Sequence, residues 1–170
     1  MRATLTPHPT TPGPDVAVTV QMERRGDRLW LRYVVDGDVD GVEWPAPAAG
    51  RADGLWRHTC FEVFVRTADG YREFNLSPSG QWAAYRFDGY RAGMAQAAET
   101  AEPPLLDAGA DCLGLETVID LPSDANALGL SAVIEAADGR ISYWASAHPS
   151  DKPDFHHPDS FVLDLPPEQP

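Results

Sequence analysis

The stretch CFEVFVRTADGYREFNLSPSGQWAAYRFD, residues 60–88, decides the fold class. It contains three short runs that are rich in β-branched and aromatic residues, and turn signals separate the runs. An Asp-Gly pair at residues 69–70 is a strong β-hairpin signal, and Pro-Ser-Gly at residues 78–80 marks the second turn. The stretch therefore predicts three successive antiparallel strands.

Similar runs continue on both sides of this segment, with no internal repeat and no long amphipathic helix. About nine strands are predicted, at residues 16–21, 28–35, 60–66, 71–77, 81–88, 112–121, 128–136, 141–148 and 160–165. Such closely spaced short strands favour an all-β fold, an antiparallel β-sandwich.

Between the strands, residues 36–54 and 101–111 are expected to be loops, and residues 90–98 are compatible with a short helix. Residues 15–165 are predicted to form one domain. The segment at residues 1–14 is rich in Thr and Pro and is expected to be a flexible arm, and residues 166–170 a flexible tail.

The formal net charge of −13 argues against nucleic-acid partners, which need a basic surface, and against anionic membranes. No run approaches the roughly 20 apolar residues of a membrane span. The first 14 residues lack the apolar core of a signal peptide, so a cytoplasmic location is expected. Cys60 and Cys112 should then stay reduced, although whether they pair is left open.

Side chains alternate across a strand, so parity sorts the central residues into two faces. Phe61, Val63 and Val65 should lie on an apolar inner face, together with Phe74 and Leu76. On the third strand the more apolar set, which is expected to join them, comprises Ala83, Tyr85 and Phe87.

The opposite face is then predicted to carry polar and aromatic groups. They are Glu62, Tyr71, Glu73, Asn75, Trp82 and Arg86. Aromatic rings can stack on the C–H face of a sugar while planar polar groups bind its hydroxyls. The alternative is an ordinary solvated sheet face, with Glu and Arg as a cross-strand pair.

Three strings resemble the type 9 carbohydrate-binding module and the DOMON-like group. They are LWRHTCFEVFV at residues 55–65, YREFNLSPSGQW at residues 71–82 and YWASAHPSDKPDFHHPDSFVLDL at residues 143–165. The resemblance covers roughly residues 15–165. It implies a DOMON-like β-sandwich of the jelly-roll type that binds sugars or, in some relatives, haem.

The resemblance also implies roles for individual residues. Trp56 matches the first sandwiching aromatic residue, Glu62 the pocket acid and Asn75 the hairpin asparagine, while Arg86 is a looser match for the pocket arginine. The sugar-binding members have a second Trp near the C-terminus, and this chain has none after Trp144.

Phe155, His156 or His157 could take the place of that missing indole. The predicted ligand-binding residues are therefore Trp56, Glu62, Asn75, Trp82, Arg86, Phe155 and His156.

The sequence predicts a non-catalytic domain that binds a small ligand, a saccharide. One alternative is a haem-binding electron-transfer domain, for which Met1, Met22 and Met94 are the available thioethers, although no motif for covalent haem attachment is present. A protein-interaction module with no small ligand is another.

Metal and hydrolase chemistry are weaker alternatives. The segment around His148, His156 and His157 lacks zinc-site spacing, and Glu62 with Glu73 could act as an acid/base pair. No cofactor and no metal is expected, with haem and a divalent metal left open.

Overall fold

Strands and short 3₁₀ turns make up the regular structure of residues 1–168, the part of the chain that the computed structural model describes. There are 11 strands: β1 (Arg2–Pro7), β2 (Val16–Arg25), β3 (Arg28–Gly37), β4 (Cys60–Thr67), β5 (Gly70–Leu76), β6 (Trp82–Phe87), β7 (Ala95–Gln96), β8 (Leu105–Ala108), β9 (Cys112–Asp120), β10 (Ala127–Glu135) and β11 (Ile141–Ala145). The 3₁₀ turns are Val39–Gly41, Leu55–Arg57 and Pro158–Ser160. No α-helix occurs in residues 1–168, and no helix there is long and apolar enough to cross a membrane.

All strands belong to one antiparallel sheet in the order β7-β6-β5-β4-β10-β11-β1-β2-β3-β9-β8. Strand β1 joins the two halves of this sheet. Its first residues pair with β2, as in Leu5 with Val18, and its last two pair with β11, as in Thr6 with Ala145. The sheet is therefore continuous only through this strand.

The sheet curls, and both of its halves contribute to the main hydrophobic core, while a smaller cluster around Phe64 is separate from it. Phe61 of β4 and Tyr33 of β3 lie in opposite halves, yet their ring centroids are 4.8 Å apart. The buried Tyr33 hydroxyl donates a hydrogen bond of 2.8 Å to the Glu62 carbonyl oxygen. The alternating apolar residues of both halves supply this core, as strand parity predicts.

The predicted register of β4 and β5 is confirmed, whereas that of β6 is wrong. Glu62 pairs with Asn75, so both lie on one face as expected. On β6, Phe87 pairs with Tyr71 and Trp82 pairs with Leu76. The β5–β6 connection has five residues, 77–81, so Trp82 shares the face of Leu76 rather than that of Asn75.

The remaining differences concern segments without a strong strand signal. Within the expected flexible arm, residues 2–7 form β1, because Ala3 and Leu5 alternate towards the core. The predicted loop at residues 101–111 contains β8, an edge strand whose four residues are all exposed. Residues 90–98 form no helix but include β7, and residues 160–165 form a single bridge at Leu163. Of the expected tail, residues 169–170 lie outside the described residues, and Glu168 bridges to Arg24.

Candidate ligand-binding cavity

The second face of the β4–β6 meander is covered rather than solvated. A covering segment, residues 154–161, crosses it, and Phe161 and Phe155 pack against Phe64 with ring centroids 6.4 Å away in both cases. Tyr71 stacks on Phe87 at 4.7 Å beneath this segment. The polar residues of this face therefore lie under an aromatic layer, which excludes the simple solvated sheet considered above.

Next to this layer lies a cavity of about 670 Å³ that opens to solvent. Its walls come from the turn before β4, from strands β4, β5, β6, β10 and β11, and from two loops. The lining residues are Trp56, Glu62, Glu73, Phe87, Arg91, Met94, Val133, Tyr143, Lys152, Pro153, Phe155 and His156. A volume of this size accommodates a small organic ligand.

Two buried carboxyl groups belong to this lining. Glu62 is 3% exposed and Glu73 is 5% exposed. They are diagonal neighbours on adjacent strands, because Glu62 pairs with Asn75, two residues from Glu73. Glu62 receives a long hydrogen bond of 3.5 Å from the Ser131 hydroxyl on β10. The strand alternation of β4 and β5 therefore directs both acids into the cavity.

Asn75 forms a hydrogen bond with Glu73 from outside the cavity wall. Its Nδ2 donates a hydrogen bond of 2.9 Å to Glu73 Oε1, and its own side chain is fully buried. The Asn75 Oδ1 has no hydrogen-bond partner within the described chain. Asn75 is not itself part of the cavity wall, so the structure assigns it a supporting position.

His156 closes the cavity over Glu73. Its Nε2 lies 3.7 Å from Glu73 Oε2, and its Nδ1 is joined to the Tyr71 hydroxyl by a hydrogen bond of 2.7 Å. The same hydroxyl accepts a hydrogen bond of 3.2 Å from the backbone N–H of Arg91. The Tyr71 hydroxyl of strand β5 therefore links the covering segment to the loop after β6.

Arg91 lies in that loop in a left-handed backbone conformation, with φ of 51°. Its guanidinium pairs with the Asp154 carboxylate at 2.8 Å, and the Tyr90 hydroxyl donates to the same carboxylate at 2.6 Å. Non-glycine residues with positive φ are uncommon in proteins overall, and those that occur are enriched at functional sites. This ion pair joins the loop to the covering segment at the edge of the cavity.

Burial shifts the pKa values of Glu62, Glu73 and His156. Burial, and next the nearby Glu73, raise the pKa of Glu62 well above its ordinary value. Burial raises the pKa of Glu73 to about 7, opposed by the Asn75 hydrogen bond and by Arg91. Burial and Arg91 lower the pKa of His156 to about 4. Near neutral pH the imidazole is therefore uncharged, and the two acids share a site that disfavours their charged forms.

Four of the seven residues that the sequence predicts as ligand-binding come together in this cavity. They are Trp56, Glu62, Phe155 and His156. Trp56 is 38% exposed and belongs to the lining, so its ring lies where the cavity meets solvent. Asn75 lies behind the wall, as described above.

Trp82 and Arg86 lie elsewhere, because β6 has the opposite parity to that expected. Trp82 packs against the hydrophobic core, and Arg51 lies 5.5 Å from its ring centroid. Arg86 is exposed and pairs with Asp88 at 2.7 Å. Phe87 takes the position on the cavity face that the sequence interpretation gave to these two residues.

Several lining residues were missed by the sequence interpretation. Tyr143 could have been found from the alternation of β11, in which its neighbours Ser142 and Trp144 are buried. Arg91 and Lys152 lie in loops, where no periodicity shows the direction of a side chain. Among residues 1–168, no group of three or more His, Cys, Asp or Glu side chains is arranged to hold a metal ion.

The fold and the cavity define an antiparallel β-sheet protein with a recessed site of aromatic and acidic side chains. Neither a protein-family model nor a curated protein matches the chain. Among solved structures, it is similar to a crystal structure from Bacteroides uniformis that is described as a "putative carbohydrate-binding protein". The two share 16% sequence identity with a TM-score of 0.58, over 94% of this chain and 84% of that chain. A likeness at this identity shows a shared fold.

Proposed function

We propose that this protein is a non-catalytic domain that binds a small saccharide in the cavity between Trp56 and Glu62. We further propose that its curled sheet is a β-sandwich of the type 9 carbohydrate-binding and DOMON-like kind. The carbohydrate-binding description of the Bacteroides uniformis protein supports this direction. The sequence motifs around these two residues support it independently.

One observation carries the proposal, the combination of aromatic walls with a buried polar floor. Trp56, Tyr143 and Phe155 line the cavity, and the ring centroids of Tyr143 and Phe155 are 6.0 Å apart. Glu62 and Glu73 supply carboxyl oxygens below them. Aromatic rings bind the apolar face of a pyranose, while carboxyl groups accept hydrogen bonds from its hydroxyls.

The test is a calorimetric screen of monosaccharides and short oligosaccharides against wild type and Trp56→Ala. Trp56→Ala should bind the sugar about tenfold or more weakly, because a partly exposed indole in a binding cavity stabilises the complex more than it stabilises the fold. Its melting temperature should change little, since the ring is 38% exposed.

Trp30→Ala is the matched control, since Trp30 is half-buried on β3 and lies outside the cavity. This variant should bind sugar as wild type does. Equal affinity of wild type and Trp56→Ala would contradict the proposal.

Haem is the second candidate ligand, because Met94 and His156 line the same cavity. A thioether and a neutral imidazole are a known axial pair for haem iron, and His156 Nε2 carries no hydrogen bond in the described chain. The buried Glu62 and Glu73 fit a porphyrin face poorly. A Soret absorbance band after haem titration that is lost in Met94→Leu would favour haem over the saccharide.

The cytoplasm is the proposed location. In that reducing compartment, Cys60 and Cys112 should stay reduced. The net charge of −13 supports partners other than nucleic acids and anionic membranes.

A further inference from the structure

Glu62 is a buried acid without an ion-pair partner among the described residues. It is 3% exposed, and within residues 1–168 it takes part in no ion pair of 4.0 Å or less. Its side-chain hydrogen bond in this range is the 3.5 Å contact from Ser131. Because Glu62 also lines the cavity, it borders the space that a ligand would occupy. A buried carboxyl group of this kind needs either a proton or a cation.

The cations of the cavity wall do not supply that partner. Arg91 is paired with Asp154 at 2.8 Å, and Lys152 is exposed to solvent. His156 is held by Tyr71 and faces Glu73 rather than Glu62. Within the described residues, Glu62 therefore has no cationic partner, and a cationic group of a ligand could fill that role.

The walls above the acid suit a cation as well as a sugar ring. Trp56, Phe87, Tyr143 and Phe155 all line the cavity. Ammonium groups are attracted to the faces of aromatic rings, and cages of such rings recognise amines. An acidic floor combined with aromatic walls is therefore more specific for an amine than either feature alone.

We propose that the ligand of this cavity carries a protonated amine that forms an ion pair with the Glu62 carboxylate. This inference rests on the proposed saccharide-binding function, and within that class it selects an amino sugar over a neutral or N-acetylated one. Glu73 and the aromatic rings hold the rest of the ligand. The net charge of −13 favours the approach of such a cation.

Binding of the amine should release a proton. Burial and Glu73 raise the pKa of Glu62, so the empty cavity favours its protonated form. An ammonium group stabilises the carboxylate, so the proton leaves when the ligand enters. Affinity should therefore increase as pH rises towards neutrality. The other titratable or charged groups of the cavity are Glu73, Arg91, Tyr143, Lys152 and His156.

The experiment compares glucosamine, N-acetylglucosamine and glucose by titration calorimetry in two buffers of different ionisation enthalpy. Glucosamine should bind about tenfold or more tightly than the other two, as expected for a charge-assisted contact. Its heat of binding should depend on the buffer, because a proton is released, and that of glucose should depend on it less. These measurements need only the wild-type protein.

Glu62→Gln keeps the shape of the side chain and should remove both the glucosamine preference and the proton release. Glu43→Gln is the matched control, since Glu43 is exposed and outside the cavity. Equal binding of glucose and glucosamine to wild type would overturn the inference and leave the proposed function standing. Binding of benzyltrimethylammonium without binding of any sugar would support recognition of a cation and contradict the saccharide proposal. Failure of all these probes to bind would overturn the inference.

Discussion

Replacing Glu73 by glutamine should stabilise the protein at neutral and alkaline pH. Burial raises the pKa of this acid from an ordinary value of 4.5 to about 7 in the folded state. The contribution of Glu73 to stability is therefore complete below the unfolded pKa and is lost as pH rises through the folded pKa. Glutamine has the same shape and no proton to lose, so the variant should lack this dependence.

The size of the effect follows from the two pKa values. One pKa unit corresponds to about 1.4 kcal/mol, so a change from 4.5 to about 7 amounts to about 3 kcal/mol at high pH. About 2 kcal/mol of this is lost between about pH 5.5 and about pH 8.5. The free energy of unfolding of wild type should fall by that amount relative to Glu73→Gln over the same interval.

Urea unfolding followed by tryptophan fluorescence at several pH values measures this difference. Glu43→Gln, at an exposed position, should follow wild type throughout. Glu73 contributes to the rise in the pKa of Glu62, so the same comparison is repeated in a Glu62→Gln background, where only the acid that was changed differs. Parallel pH profiles for wild type and Glu73→Gln would refute the reasoning, because the carboxyl group would then be hydrated or permanently paired.

Three further outcomes are expected. Gly70→Ala should destabilise the protein by about 2 kcal/mol or more in urea unfolding, because φ is +144° and an added Cβ would clash with the Phe87 carbonyl oxygen. Gly139→Ala is the control and should cost only about 1 kcal/mol in the same assay, because no atom lies within 4 Å of the Cβ that it would add. Tyr71→Phe should lose about 1 kcal/mol, because it removes the hydrogen bond to His156, and thermal unfolding would show no change if that bond were unimportant. In Glu73→Gln, where the neighbouring acid no longer titrates, the His156 ring signals, assigned by comparison with a His156→Gln variant, should show no imidazole protonation in NMR spectra between about pH 5.5 and about pH 8, because burial lowers the pKa of His156 to about 4.

The acidic floor of the cavity could be predicted from sequence, because short strands joined by a tight turn leave little freedom in register. Glu62 and Asn75 share a face as soon as the Asp-Gly hairpin is recognised. The next connection was harder, because assigning Gly80 or Gln81 to strand or to loop reverses the parity of β6. That ambiguity placed Arg86 rather than Phe87 on the cavity face.

The cover of the cavity could not be predicted. Arg91 is directed by a positive φ and an ion pair with Asp154, and neither leaves a periodic signal in sequence. His156 was recognised as a candidate, but its contacts with Tyr71 and Glu73 depend on how the C-terminal segment crosses the sheet. Loop residues of this kind are positioned by long-range contacts, which a pattern within one segment does not contain.

The junction made by β1 has a consequence for the order of folding. Leu5 of this strand pairs with Val18 of nearby β2, whereas Thr6 pairs with Ala145, which is far away along the chain. Closing so large a loop is entropically costly and slows folding. Until that step, the half of the molecule that holds the acids has an unpaired strand edge at β11, where another chain could pair with it.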